Sequence, residues 1–234
     1  MESIQAPITV MKRYEWKFIL SAEQTDFLCE RLQGHMEPDA YGLTTIASLY
    51  YDTPDRRLIR ASIEKPAFKE KIRLRAYGPA TETSPVFLEL KRKAFGLVYK
   101  RRVKATVLEV QRFFAGELNL DEDGQIDREI TYFRDFYREL VPACMILYDR
   151  TAYYEPDGDL RLTIDRNPRY RTDGLSFDQA PIGLPLLAPG ETILEVKVQD
   201  TIPLWLVQIL SEGGIKHGSI SKYGEAYRLE TFAH

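Results

Sequence analysis

The sequence is poor in the residues that build the commonest metal and redox sites. Among its 234 residues are two cysteines and three histidines. Cys29 and Cys144 are far apart with no CxxC spacing, and the histidines are scattered. A structural zinc site and a disulfide framework are therefore excluded, and both cysteines read as small buried hydrophobes. There is no GxxxxGK[ST] phosphate loop and no GxSxG nucleophile elbow. No apolar run reaches the roughly 18 residues of a membrane-spanning helix, and no signal-peptide pattern opens the chain, so a cytoplasmic protein without direct membrane insertion is expected. A strong net charge is missing too: 32 Lys and Arg against 35 Asp and Glu leave about −3. General nucleic-acid binding through overall positive charge is excluded by that balance, and any basic field has to arise from local arrangement.

What the chain does have is a recurring alternation. In KIRLRAYG, Lys71, Arg73 and Arg75 alternate with Ile72, Leu74 and Ala76, and a strand's side-chain period of two sets the cations in one row. The pattern returns in RYEWKFIL, where Arg13, Glu15 and Lys17 oppose Tyr14, Trp16 and Phe18. It returns in VFLELKRK, where Glu89, Lys91 and Lys93 alternate with Leu88, Leu90 and Arg92. Further same-parity sets are Lys100 with Arg102, Tyr148 with Arg150, Arg161 with Thr163 and Asp165, and Glu195 with Lys197. TTIASLYYDT reads as another strand, and Ala94, Phe95 and Gly96 read as a hairpin turn.

Helices are expected at SAEQTDFLCERLQG, where Ser21 and Gln24 fit a capping box and Gly34 a stop, and at DRRLIRASIEK and TVLEVQRFFAGE. DREITYFRDFYREL, with Asp127 as its cap, TIPLWLVQILSEGG and SKYGEAYRLE complete the set. The stretch from Pro168 to Pro189 reads as a long surface connection. No linker divides the chain, so residues 1–234 are read as one domain with a loose segment at 1–10.

A sheet face that simply meets water is served by mixed Thr, Ser, Gln and Lys. Here the polar positions are concentrated in Arg, Lys and Glu, while several amphipathic helices need an apolar surface to cover. An α+β fold satisfies both: a closed or nearly closed antiparallel β-barrel with helices packed on its apolar outside and a charged, water-filled lumen. About a dozen cations facing one lumen repel one another unless an anion occupies it, and a chain of phosphates matches that number better than a single carboxylate. The carboxylates Glu15, Glu89, Glu195 and Asp165 are tolerable beside phosphate when a divalent cation lies between them. Such hard oxygen ligands suit Mg²⁺ or Mn²⁺.

Taken in order, RYEWK, SLYYDT, KIRLRAYG, FLELKRK, KRR, YDRTAYY, LRLTID, LEVK and SKY at residues 221–223 resemble the motifs of the triphosphate tunnel metalloenzyme superfamily. Within it they resemble the VTC domain, a polyphosphate polymerase domain. The resemblance implies a tunnel-shaped, CYTH-like barrel, a divalent metal, and ATP, triphosphate and polyphosphate as ligands. It implies phosphate-ligand roles for Lys17, Arg73, Arg75, Lys91, Arg150, Arg161, Lys197 and Lys222, and makes Glu195 the main metal carboxylate. Tyr50 and Tyr223 match motif positions and join the substrate-binding candidates, as do Arg13, Lys71, Lys100 and Arg102 from the strand pattern. Arg13 stands where the wider superfamily's ExExK signature has its first Glu, which favours the VTC branch over the adenylyl cyclase and thiamine triphosphatase branch.

The activity so implied transfers the γ-phosphate of ATP to a growing inorganic polyphosphate, with Arg73, Arg75, Arg150 and Glu195 as the catalytic set. A metal-dependent triphosphatase would use the same scaffold with a positioned water. A polyphosphate-binding module would keep the cations without needing Glu195 and metal. Base stacking on nucleic acid is not expected, because Tyr14, Trp16, Phe18 and Tyr99 fall on the apolar parity of their strands.

Overall fold

The computed structural model describes residues 14–64, 66–95, 97–119 and 124–232. Arg13 and the segment 1–10 lie outside them. In chain order the elements are β1 (Tyr14–Leu20), α1 (Ala22–Arg31), β2 (Glu37–Pro38), β3 (Thr44–Asp52), α2 (Arg57–Ile63), β4 (Phe68–Tyr77), β5 (Pro85–Ala94) and β6 (Leu97–Thr106). They continue with α3 (Val107–Phe114), α4 (Gln125–Tyr137), β7 (Val141–Tyr154), β8 (Arg161–Arg171), β9 (Leu184–Pro185), β10 (Thr192–Val198), α5 (Leu204–Glu212), β11 (His217–Gly218) and α6 (Lys222–Phe232). The class is α+β, with antiparallel strand pairing.

The chain forms two compact units, each assembled from separate segments. The smaller comprises described residues up to Gly42 together with Thr151–Ile164 and Thr192–Ser219. The larger comprises Leu43–Arg150, Asp165–Glu191 and the residues from Ile220 on. In the smaller unit the strand order is β11-β1-β10-β8, and β2 pairs the end of β7. Its core joins Phe18 and Leu20 of β1 and Leu194, Val196 and Val198 of β10 to Leu28 of α1 and Leu206 and Ile209 of α5. At the start of α1, Ser21 and Gln24 make the expected capping box, each side chain bonding the other's backbone N–H.

In the larger unit the order is β8-β7-β3-β4-β5-β6, with β9 on β8. The alternation of KIRLRAYG appears as expected: Ile72, Leu74 and Ala76 are buried with Leu88 and Leu90 of β5, under Val110 and Phe113 of α3 and Ile130 and Phe133 of α4. At the hairpin between β5 and β6, Phe95 has a φ of 48°, the left-handed backbone that two-residue hairpin turns use.

Four expectations need correction. The barrel is not closed: among the described pairings the strand path ends at β6 in the larger unit and at β11 in the smaller. Closure requires the last strand to bond the first along its length, and β11 pairs through only His217 and Gly218. The open edge strand β6 instead carries Lys100, Arg101, Arg102 and Lys104, charges that discourage pairing with another chain. Nor do all helices cover the apolar side. Tyr223 and Ala226 of α6 pack on Ile46 and Tyr50 of β3 and Tyr148 of β7, residues that share strand parity with the cations. The stretch after Pro168 is not wholly loop: β8 runs through Pro168 to Arg171, and Pro168 takes part by accepting a bond from the Leu186 N–H. Finally, Asp127 lies inside the first turn of α4, whose N-cap position is Gly124, and there its charge opposes the helix dipole favourably.

Asp52 ends β3 and is fully buried. Its carboxylate accepts from the N–H groups of Thr53, Leu58 and Ile59 and from the Tyr223 hydroxyl at 2.9 Å, so one side chain caps α2 and ties α6 to the sheet. Asp52→Ala leaves these donors without an acceptor and is expected to cost at least about 2 kcal/mol. A denaturant midpoint equal to that of the parent chain would refute this role.

Candidate functional site

The cations of the larger unit form rungs across paired strands. Lys71, Lys91 and Lys100 are direct cross-strand partners. The next rung holds Tyr50, Arg73, Glu89 and Arg102, and the one after it Ser48, Arg75, Phe87 and Lys104. This placement follows from antiparallel register and the period-two alternation read in the sequence.

Glu89 is the hub. It is 2% exposed and meets Arg73 at 2.7 Å, Lys100 at 3.1 Å and Arg75 at 3.8 Å, and also accepts from the Arg102 guanidinium. Burial alone would raise the Glu89 pKa; Arg75, Arg73 and Lys100 outweigh it and hold the carboxyl well below its ordinary value. Burial pushes Lys100 down, against the pull of Glu89. Arg73 also donates to the Tyr50 hydroxyl at 3.0 Å, and Arg75 to Ser48 at 3.3 Å. Burial would raise the Tyr50 pKa, but Arg73 and Arg75 bring it down.

A second group in the same unit centres on Asp165, which is fully buried. Both its oxygens accept from Arg150, at 2.6 and 2.8 Å, and Lys222 pairs with it. Arg150 and Lys222 also lie over the Tyr148 ring, at 5.0 and 4.7 Å. Lys71 donates to Ser221 at 3.0 Å. Lys91 is exposed on β5.

In the smaller unit Lys17 lies between two carboxylates, 3.3 Å from Glu15 and 3.2 Å from Glu195, and Lys197 is 3.1 Å from Glu195. Burial would lower the Lys17 pKa; Glu195 and Glu15 outweigh it and raise the value. The register Lys17↔Glu195 and Glu15↔Lys197 produces this square of alternating charge. Arg161 sits at the exposed start of β8, donating to the carbonyls of Leu160 and Gly158. Thr163, two residues on, has a buried hydroxyl oxygen with no hydrogen-bond partner among the described residues.

Among the described residues no group of three or more His, Cys, Asp or Glu side chains is placed to hold a metal. Mg²⁺, however, is commonly held by one or two carboxylates, with substrate phosphates and water completing its shell. Glu195 with Glu15 supplies two such carboxylates, although ammonium groups of Lys17 and Lys197 already pair with them. Glu89 and Asp165 are bound more closely, their oxygens accepting directed bonds from guanidinium groups. Tyr50 and Tyr223 are buried and stacked at 4.5 Å, with Tyr223 directed to Asp52, so their contacts brace Arg73 and α6. Tyr148 shares the parity of Arg150 as read in the sequence, whereas Asp52, Tyr77 and Phe87 were not singled out there. Counting parity outward from Arg75 and Glu89 finds Tyr77 and Phe87, but nothing local reveals Asp52's distant partner Tyr223.

Lys93 and Lys104 are exposed, and Arg101 turns to Glu129 of α4 at 2.8 Å. On that same apolar side, Arg92 reaches Glu70 and Glu129. Solved structures to which this chain is similar include two proposed adenylate cyclases. One, a proposed adenylate cyclase from Bacillus halodurans, is 14% identical with a TM-score of 0.55, the alignment covering 90% of this chain and 96% of that one. The other, a proposed adenylate cyclase from Vibrio parahaemolyticus, is 11% identical with a TM-score of 0.49, covering 93% and 98%. At such identities the likeness to the first speaks for the fold alone. No curated protein sequence is significantly similar to this chain. The family model of the VTC domain matches residues 12–230, a span that takes in each charged cluster described above, and the chain belongs to the VTC domain family.

Proposed function

We propose that this chain is a metal-dependent phosphotransferase that moves the γ-phosphoryl group of ATP onto the end of an inorganic polyphosphate. The observation that carries the reading is the set of cationic rungs on β4, β5 and β6. Lys71, Lys91 and Lys100 stand side by side, and in the neighbouring rung and its surroundings four cations share the single carboxylate of Glu89. Like charges directly opposite one another destabilise a sheet. A polyanion lying over them turns that repulsion into binding, and rungs repeating about every 7 Å suit an anion that itself repeats. Membership of the VTC domain family supports the same reading.

Phosphoryl transfer asks the protein chiefly for alignment and charge stabilisation. Arg73, Arg75 and Arg102 are oriented by Glu89, and Arg150 by both oxygens of Asp165, so their remaining N–H groups meet phosphoryl oxygens with little reorganisation. Lys71, Lys91, Lys100 and Lys222 of the larger unit act as point charges toward phosphate, as do Lys17 and Lys197 within the smaller. Within the smaller unit Glu195 and Glu15 would hold Mg²⁺ or Mn²⁺, an ion that neutralises phosphate charge when bound. The terminal oxygen of the chain attacks the γ-phosphorus as the bond to the β,γ-bridging oxygen breaks and ADP departs. That terminal oxygen is already ionised, so the step needs no strong general base.

With ATP and Mn²⁺ or Mg²⁺ the purified protein is expected to yield ADP and long phosphate chains, resolved by gel and phosphorus NMR. Arg73→Ala and Glu195→Ala should each lower the rate by about a hundredfold or more. Free phosphate without chains would move the assignment to a triphosphatase. Tight, metal-independent polyphosphate binding without turnover would leave a binding module.

Glu89 makes a separate pH prediction. Its folded-state pKa is depressed, so its contribution to stability is complete above the ordinary value of 4.5 and is lost as pH falls toward the folded value. Glu89→Gln should therefore flatten the loss of stability below 4.5 and lower the melting temperature at neutral pH, where four cations lose their common partner. Added polyphosphate should restore much of the neutral-pH loss. Equal acid sensitivity in variant and parent would remove Glu89 from this role.

A further inference from the structure

We propose that Tyr77, supported by Phe87 and Arg102, forms a nucleobase platform at one end of the cationic face, through which the chain favours a nucleoside triphosphate over an inorganic one. The proposal rests on the phosphotransferase reading and names the part of the substrate that the phosphate-binding cations leave unaddressed.

Phe87 is the only apolar residue among nine same-face positions in three successive rungs of β4, β5 and β6, the others being Lys71, Lys91, Lys100, Arg73, Glu89, Arg102, Arg75 and Lys104. Tyr77 follows Arg75 on the same face and ends β4. Neither ring belongs to the apolar core on the opposite face of these strands, and Tyr77 is 48% exposed. Core packing therefore does not account for an aromatic pair at this place.

The pair is instead held rigid by a cation. The Phe87 ring stands nearly perpendicular to Tyr77, with centroids 5.9 Å apart and an interplanar angle of 83°. The Arg102 guanidinium lies 4.6 Å over Phe87, donates to the Tyr77 hydroxyl at 3.3 Å, and donates through Nε to Glu89 at 2.8 Å. One face of Phe87 is thus covered, while the Tyr77 ring is fixed in place and open to solvent. Arg102 touches both the ring pair and the phosphate-binding cluster, so a nucleotide whose phosphates lie on Arg75 and Arg102 has its base within reach of Tyr77. Stacking on an immobilised ring costs little side-chain entropy. It also tolerates any base, because every base has a π-face, so selection is for the presence of a nucleobase and not for its identity.

The test compares dissociation constants for the β,γ-imido analogue of ATP and for inorganic tripolyphosphate on the full chain with Mg²⁺. Tyr77→Leu is expected to weaken nucleotide binding about tenfold while leaving tripolyphosphate within about twofold. Tyr77→Phe, which keeps the ring but loses the bond from Arg102, should fall between the parent and Tyr77→Leu for the nucleotide, and Phe87→Leu should move in the direction of Tyr77→Leu. Unchanged tripolyphosphate affinity also certifies that each variant is folded. An equal loss for both ligands, or no loss for the nucleotide, overturns the platform and leaves phosphate binding intact. A parent protein that binds neither ligand overturns the phosphotransferase reading and the platform with it.

Discussion

One buried carboxylate among four cations holds the charged face together. Glu89 draws Arg73, Arg75, Lys100 and Arg102 to a common point, so strands β4, β5 and β6 pair in spite of the repulsion along their rungs. The neutralisation is incomplete, and that incompleteness keeps the face attractive to anions. Asp165 between Arg150 and Lys222 repeats the device with a smaller excess, whereas Lys17 and Lys197 balance Glu195 and Glu15. In each case the acid orients its cations as well as offsetting them.

The opposite face of the same strands explains how such a surface is affordable. Ile72, Leu74, Leu88 and Leu90 are buried beneath α3 and α4, and that apolar layer supplies cohesion that the charged side does not. The larger unit is not divided strictly into a wet side and a dry one. Helix α6 covers part of the polar-parity face of β3 and β7, bringing Tyr223 against Tyr50 and Lys222 against Asp165. Asp52 secures this arrangement by accepting from α2 and from Tyr223 at once. The residues that brace Arg73 are therefore tied to the C-terminal helix, so loosening α6 would disturb the cationic face as well as the core.

Membership of the VTC domain family and the cationic rungs support one another without being the same argument. The family match covers residues 12–230, while the rungs follow from register alone. Among the described residues no helix is long and apolar enough to cross a membrane.

Much of this was legible in the sequence because strand periodicity is a local property. Lys71, Arg73 and Arg75 had to share a face once KIRLRAYG was a strand, and the capping box of Ser21 and Gln24 is complete within four residues. Which cations would stand together depended on register, a long-range property that alternation alone does not specify. The open ends of the strand path, the passage of β8 through Pro168 and the covering of Tyr50 by α6 were likewise settled by pairings between distant segments. Glu89 shows the division most clearly. Its strand, face and charge follow from its neighbours in sequence, but only the folded sheet gathers residues 73, 75, 100 and 102 around it, because opposite charges come within a few ångströms through tertiary pairing and not through proximity along the chain.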